Sequence, residues 1–292
     1  MPKPGKYVIA VSGGVDSMVL LDILSREPGL ELTIAHLDHG IRDDTSKDAE
    51  LVKKVAGRLG VPCVCHQVKL GQAASEATAR DARYKFLRKV QQETNSKAII
   101  TAHHQDDVIE TALINHIRGT GRKGFTSLKS TDEISRPLLN VSKAEIKDYA
   151  FANKIEWRED STNADEKYLR NYIRKNIMTK LTPTSRQKLI KYLSDLEKCN
   201  KLLDSLLVKY LDDNIVNKLM DRNSFKNLPH DVAREVLAHW LRSVGVTGFD
   251  KPTIEKLVVV AKTGSAGKSF PIAGGYKLDV NMDNLALSRA ER

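Results

Sequence analysis

Three cysteines in 292 residues are too few for a disulfide framework, so a reducing, cytoplasmic setting is the expectation. No apolar run approaches the ~18–20 residues of a membrane span, and no membrane partner is expected. The opening MPKPGKYVIAVSGG lacks the apolar core of a secretory leader. Internal repeats and low-complexity segments are missing as well. What the chain does have is charge. It carries 47 Lys+Arg against 37 Asp+Glu, a net +10 and a pI near 9.4. Both signs are mixed through 29% charged residues, which excludes a disordered basic tail and leaves a folded protein attractive to polyanions.

The length suits one large domain or two modest ones. In the first half, residues 7–11, 32–37, 61–68 and 98–101 read as strands, with Pro62 at the start of the third. Helical segments from about 18–24, 45–59, 75–93 and 105–118 separate or follow them. This alternation predicts an α/β fold, a parallel sheet flanked by helices, with ligands at the carboxyl ends of the strands. Past Arg136-Pro137-Leu138-Leu139 helix formers dominate, and Thr182-Pro183-Thr184 reads as a hinge. Two domains are expected, over 1–184 and 185–292, the second smaller and mainly helical with a Gly274-Gly275 turn between short strands.

Ser12-Gly13-Gly14-Val15-Asp16-Ser17 joins the first strand to the first helix. Glycines there permit positive φ and close backbone approach, and a helix N-terminus offers unpaired N–H groups to an anion. Ser12 and Ser17 add hydroxyl donors, and Asp16 can hold a divalent cation against phosphates. The bland alternative is a capped strand-to-helix turn. A Walker loop is excluded: Gly267-Lys268-Ser269 has Lys262 where that motif needs its first glycine.

Ala35-His36-Leu37-Asp38-His39-Gly40-Ile41-Arg42 follows the second strand and can surround a nucleotide. Zinc on His36 and His39 is disfavoured, because no cysteine lies nearby to complete four ligands. Glu76, Arg80 and Arg83 fall on neighbouring turns of a helix, a pattern that a solvated charged face explains equally well. His103-His104-Gln105-Asp106-Asp107-Val108-Ile109-Glu110 puts two histidines at the fourth strand's end and carboxylates on the next helix. Capping explains Asp106; Glu110, one turn deeper, can instead receive a cation.

The Ser12–Ser17 loop resembles the pyrophosphate loop of the N-type ATP pyrophosphatases. Taken in order with the histidine–aspartate segments, Arg118-Gly119-Thr120-Gly121, Arg136-Pro137-Leu138-Leu139, Asp160-Ser161-Thr162-Asn163 and Arg170-Asn171-Tyr172-Ile173-Arg174, it makes the chain similar to the tRNA(Ile)-lysidine synthetases over about residues 7–178. Phe270-Pro271-Ile272-Ala273-Gly274-Gly275-Tyr276 resembles a degraded form of that family's C-terminal L-P-G-G turn. The resemblance implies a Rossmann-like catalytic domain over 1–184 and an accessory tRNA-binding domain over 185–292. It also implies a ligase that adenylates the 2-carbonyl oxygen of the wobble cytidine of tRNA(Ile) with anticodon CAU, releasing pyrophosphate, and then places lysine on the 2-carbon.

On that resemblance Ser12, Gly13, Gly14, Val15, Asp16, Ser17 and His36 bind ATP, and Asp16 and Asp38 recruit Mg²⁺. Arg80 steadies phosphate charge, and Asp38, Arg80 and His103 are the catalytic set, with the general base open among His103, Asp38 and the carboxylates. Asp107 and Glu110 would bind L-lysine. Arg118, Arg122, Arg170, Asn171 and Arg174 would contact tRNA, the last within a stretch, 165–191, holding eight Lys/Arg against Asp165 and Glu166. A solvated basic helix is the plainer reading of that stretch. Oligomeric state stays open, a homodimer among the options.

The nearest rival is a tRNA 2-thiolation enzyme of the same fold, and a quite different one is a tRNA-binding protein without catalysis. Against thiolation, Cys63-Val64-Cys65 is expected to point its thiols to opposite strand faces, and Cys199 lies far away; buried small hydrophobes describe all three better.

Overall fold

A computed structural model of the chain describes residues 1–38, 45–68, 76–159 and 169–289. The motif residues 39–42 and 160–163, the acidic pair 165–166, Lys167 and the Glu76 side chain lie outside the described residues. The chain divides into two compact units, Met1–Leu196 and Glu197–Arg292.

The first unit is a five-stranded sheet in the order β3-β2-β1-β4-β5, every described pairing parallel. Its strands are β1 (Gly5–Ala10), β2 (Leu30–Asp38), β3 (Cys63–Gln67), β4 (Ala98–Ile100) and β5 (Ile134–Ser135). Between them run α1 (Val15–Ser25), α2 (Thr45–Leu59), α3 (Glu76–Glu93), α4 (Gln105–Ile117) and α5 (Arg122–Phe125), and α6 (Lys143–Ala152) follows. Because side chains alternate along a strand, β1 serves two cores at once. Tyr7 and Ile9 pack with Met18, Leu21 and Leu24 of α1, Val52 and Val55 of α2, and Ile146 and Ala150 of α6. Val8 faces the other way, onto Phe86, Leu87 and Val90 of α3. Both faces are covered, as a parallel sheet requires.

This strand order places the site. The chain winds outward from β1 through β2 to β3, then crosses back to β4 on β1's other edge. Open α/β sheets bind ligands in the crevice where that reversal occurs, outside the carboxyl ends of the strands. The Ser12–Ser17 loop leaves β1 and the His103–Glu110 segment leaves β4, so the two predicted motifs flank the same crevice.

A third core in this unit joins α4, α7 (Leu169–Asn176) and the start of α8 (Pro183–Asn214). Ile109 and Ile114 pack with Ile173 and Met178, and Leu189 and Ile190 lie against them. Pro183 opens α8 instead of hinging the chain, since a first-turn proline lacks only an N–H that the helix does not use. The unit boundary falls inside this helix, at Leu196 and Glu197, where the sequence suggested 184.

One expectation is corrected. Cys63 and Cys65 share a face of β3, with their sulfurs 3.6 Å apart. Positions i and i+2 always do so on a strand of period two, and the opposite-face reading had the parity wrong. Burial, and then the neighbouring Cys65, push the Cys63 thiol up to about 12.

The second unit carries the rest of α8, α9 (Arg222–Asn227), α10 (His230–Ser243) and α11 (Lys251–Thr263). Its antiparallel sheet has the order β6-β7-β10-β9-β8, from β6 (Ile215–Val216), β7 (Leu219–Asp221), β8 (Lys268–Ile272), β9 (Tyr276–Val280) and β10 (Asn284–Arg289). Phe225, Leu237, Leu241, Val258 and Leu278 fill its core. The Gly274-Gly275 turn links β8 to β9 with φ of 75° and 74°, a conformation that favours glycine. No helix among the described residues is long and apolar enough to cross a membrane.

Candidate nucleotide and acidic site

The loop after β1 is shaped by its own hydroxyls. Ser17 Oγ donates to the Gly14 carbonyl at 2.9 Å and accepts from the Ser12 N–H at 3.1 Å. Ser12 Oγ accepts from the Gly14 N–H at 3.3 Å. Gly13 takes φ +91°, and a Cβ there would lie 3.5 Å from Asp48 Cβ. Gly14 caps α1 without any side-chain hydrogen bond; the Ser17 amide already donates to the Gly14 carbonyl at 3.1 Å, which leaves the Val15 and Asp16 amides to face an anion. Asp48 is held by Arg158 Nε at 2.6 Å, and the Arg158 amide donates to the Gly13 carbonyl at 3.0 Å, which braces the loop from behind.

His36 is 3% exposed, and its Nδ1 lies 2.8 Å from the Val11 carbonyl. A carbonyl only accepts, so Nδ1 carries the proton and Nε2 presents a lone pair. That Nε2 is buried without a hydrogen-bond partner. Asp38, at the end of β2, is 8% exposed and accepts from Gln67 Nε2 at 3.0 Å.

Across the crevice, His104 caps α4. Its Nδ1 accepts from the Asp106 N–H at 3.2 Å, and its own N–H donates to Asp107 Oδ2 at 2.9 Å. With Nδ1 accepting, the ring presents its N–H at Nε2, which lies 3.8 Å from Asp16 Oδ1 and 3.6 Å from Asp107 Oδ2. His104 Nε2 therefore lies within 4 Å of a carboxylate oxygen of both the loop and the acidic helix. Asp107 and Glu110 are 9% and 3% exposed. Burial alone would raise Asp107, but His104, His103, the His104 amide and Arg174 together hold it below the usual carboxylate range. For Glu110 burial wins, and its carboxyl is raised despite Arg174 and Arg170.

The arginines expected to meet tRNA turn inward. Arg174 Nε donates to Glu110 Oε1 at 2.7 Å, and its terminal nitrogen donates to Asp107 Oδ1 at 3.2 Å. Arg170 Nε lies 3.7 Å from Glu110 Oε2, and Arg170 also donates to Thr111 Oγ1 at 3.4 Å. The cause is Ile173, fully buried between them in sequence. Burying such a side chain is worth about 1.5–3 kcal/mol, against ~0–1 kcal/mol for an exposed ion pair. Ile173 thus sets the orientation of α7, and Arg170, three residues before it, and Arg174, the next residue, lie about 60° and about 100° round the same side of the helix. Arg186, on α8, completes the set by pairing with Asp106.

Two further residues were missed in the sequence. Lys143 Nζ holds both oxygens of Asp16, at 2.6 and 2.8 Å. Arg136 is 7% exposed, donates to the Lys129 carbonyl, and its charge disfavours a proton on His103. The Arg-Pro-Leu-Leu segment was a visible signal for the second; Lys143, beyond it, carried none. Arg80 is exposed, with its guanidinium 4.9 Å above the Tyr84 ring, and its charge likewise disfavours a proton on His103. Arg118 is exposed at the end of α4, and Arg122 opens α5. Asn171 lies half-buried on α7.

His103 Nδ1 lies 2.8 Å from Thr101 Oγ1. Burial, reinforced by Arg136, Arg80 and Arg83 against the pull of Asp107, lowers its pKa to about 4. An unfolded histidine titrates near 6.5. Between about 6.5 and about 4 the unfolded chain therefore binds a proton that the folded one refuses, and stability falls as pH drops through that window. We expect His103→Gln to flatten this acid decline, by on the order of 3 kcal/mol at most. Urea midpoints of both proteins at pH 7 and pH 4.5 measure it; parallel declines would refute the assignment.

Among the described residues no three His, Cys, Asp or Glu converge as a metal cluster. Mg²⁺ requires less, one or two carboxylates beside substrate phosphates. Asp16, part-exposed beside open helix amides, fits that role, and the buried Nε2 acceptor of His36 fits a donor on a nucleotide.

The chain matches the PP-loop domain family over residues 2–181. It is 36% identical over 256 residues to a tRNA(Ile)-lysidine synthase of Exiguobacterium sibiricum, covering 83% of this chain and 60% of that one. Its identity to the enzyme of the same name from Nitrosomonas europaea is 31% over 257 residues, covering 82% and 55%. With the Thermus thermophilus enzyme it is 41% over 174 residues, covering 57% and 34%. The chain thus spans about half the length of these curated relatives. Among solved structures, the U34-tRNA thiolase NcsA from Methanococcus maripaludis with its [4Fe-4S] cluster shares the fold, with a TM-score of 0.54 at 21% identity over 66% of this chain and 72% of that one. With the phosphate-shaped loop and the crevice it borders, the match over residues 2–181 settles the lineage: the chain belongs to the PP-loop domain family.

Proposed function

We propose that this protein ligates L-lysine to the wobble cytidine of tRNA(Ile) bearing a CAU anticodon, using ATP and Mg²⁺. The observation that carries the reading is one chain of contacts, from Asp16 through His104 to Asp107, Arg174 and Glu110, which joins a phosphate loop to a buried acidic pair. The names of the relatives supply the substrate class.

In the first step the cytidine 2-oxygen attacks the α-phosphorus of ATP and pyrophosphate leaves. The Ser12 and Ser17 hydroxyls and the amides of Gly13, Val15 and Asp16 hold phosphate oxygens, and Asp16 would hold Mg²⁺, which would supply charge neutralisation there. His36 accepts from the nucleotide. Arg80 and Arg136, around a neutral His103, offset the developing negative charge. In the second step the lysine ε-nitrogen bonds to the 2-carbon, AMP leaves, and the amine gives up a proton. Asp107 and Glu110 attract and orient the ammonium. Glu110, whose carboxyl is raised by burial, is the better placed of the two to take that proton. Arg174 and Arg170 act as positioning residues for these carboxylates, and tRNA contact falls to Arg118, Arg122 and Asn171. The C-terminal unit is the accessory tRNA-binding part.

A 2-thiolation enzyme working through the Cys63–Cys65 pair would need a reactive thiol there. The Cys63 thiol, pushed up to about 12, stays protonated at neutral pH and is a poor nucleophile. The test is incorporation of radiolabelled lysine into transcripts of tRNA(Ile) and of tRNA(Met), both with CAU anticodons, with pyrophosphate followed in parallel. Lysine entering tRNA(Ile) alone is the expected result. Pyrophosphate release without lysine incorporation, or no turnover, overturns the proposal.

A further inference from the structure

The Lys143–Asp16 pair stands where electrostatics disfavours a lysine. Lys143 is the first residue of α6, at the positive end of the helix dipole, where a cation is unfavourable. Asp16 lies in the first turn of α1, so two helix N-termini and an ammonium surround one carboxylate. The arrangement is rigid. Ser142 caps α6, accepting from the Glu145 N–H at 3.2 Å, while its own N–H donates to Glu145 Oε2 at 2.8 Å. Tyr149 ties α6 to α1 by donating to Asp22 Oδ2 at 3.0 Å, and Ile146 and Ala150 are buried in the shared core. Lys143 is thus delivered to Asp16 by a fixed helix pair, and its contacts of 2.6 and 2.8 Å occupy both carboxylate oxygens.

An ammonium bonded to both oxygens competes with a divalent ion for the same lone pairs and the same negative charge. The pair is also accessible, with 35% and 28% of the two side chains exposed, so exchange needs no unburying. We propose that Lys143 is the cation that Asp16 exchanges for a divalent ion when nucleotide enters, and that the freed ammonium then contacts the phosphates. Its flexible stem lets the head move by a few ångströms while the helix stays still. The inference rests on the ATP-dependent reading of the loop, with Asp16 as the metal-holding residue.

The test uses the full chain and two probes, Mn²⁺ alone, followed by electron paramagnetic resonance, and inorganic pyrophosphate titrated at saturating Mn²⁺. Lys143→Met removes a competitor for the metal and a partner for the anion. Free Mn²⁺ should therefore bind about tenfold tighter and pyrophosphate about tenfold more weakly. Opposite shifts are the signature, because a merely structural lysine would move both the same way or neither. Lys143→Gln replaces Lys143→Met in both titrations should the latter melt without cooperativity. Unchanged Mn²⁺ affinity, or unchanged pyrophosphate affinity, overturns the exchange. Asp16→Asn separates the two layers. If it leaves Mn²⁺ binding intact, the metal reading of Asp16 falls and the exchange with it. If it abolishes Mn²⁺ binding while Lys143→Met changes nothing, the exchange alone falls.

Discussion

Asp16→Asn is expected to reduce ATP-dependent pyrophosphate release by roughly 10²–10³-fold while leaving the fold intact. The amide keeps the shape of the side chain but loses the charge that a divalent ion needs. Folding has little at stake, because Asp16 faces the crevice, and a part-exposed ion pair such as the one to Lys143 is worth at most about 1 kcal/mol. Pyrophosphate release and a thermal melt, taken on the same preparation, check both halves. Wild-type turnover in a folded Asp16→Asn protein would remove the loop from the chemistry.

The second large effect concerns Arg174. Its removal leaves Glu110, 3% exposed, facing Asp107 with far less compensating charge. Breaking a buried pair from one side is costly, and discounting for the 38% exposure of the arginine gives a loss of about 2 kcal/mol for Arg174→Met near pH 8. Burial already raises the Glu110 carboxyl, and losing the guanidinium raises it further. Protonation then relieves the variant, so the deficit should shrink as pH falls toward 5. Adding Glu110→Gln should restore most of the stability at pH 8 yet slow lysine incorporation, with pyrophosphate release largely kept. Denaturant midpoints at two pH values, with the two products followed separately, settle this. An arginine serving only as a phosphate clamp would show the reverse: full stability and a salt-dependent loss of tRNA affinity.

The sequence exposed the parts of this site that sit at the ends of strands. Ser12 to Ser17 and His103 to Glu110 were legible because apolar runs mark where β1 and β4 stop, and polar residues there have few bland explanations. Residues that reach the crevice from elsewhere were hidden. Lys143 is 127 positions from Asp16, and a lone lysine after a serine cap looks like any surface lysine. The charges of Arg170 and Arg174 suggested a surface turned to tRNA, although Leu169, Ile173 and Ile177 recur on the same side of the chain. Weighing those apolar residues first would have turned the arginines inward. The error at Cys63 and Cys65 was of another kind, a miscounted alternation that the 3.6 Å separation of their sulfurs corrects.

The strand order has a consequence for synthesis on the ribosome. β1 is made first but lies in the middle of the sheet, with β2 on one edge and β4 on the other. Its partner on the second edge, Ala98–Ile100, emerges some ninety residues later. At the usual ~5–20 residues per second, that edge stays open for roughly 5–20 s. During this interval Tyr7 to Ile9, wholly buried in the finished protein, offer an apolar strand with unpaired amides to any neighbouring nascent chain. The segment from β1 to α3 is therefore where stalled or truncated products of this protein should aggregate, and where a chaperone that shields strand edges has the most to protect.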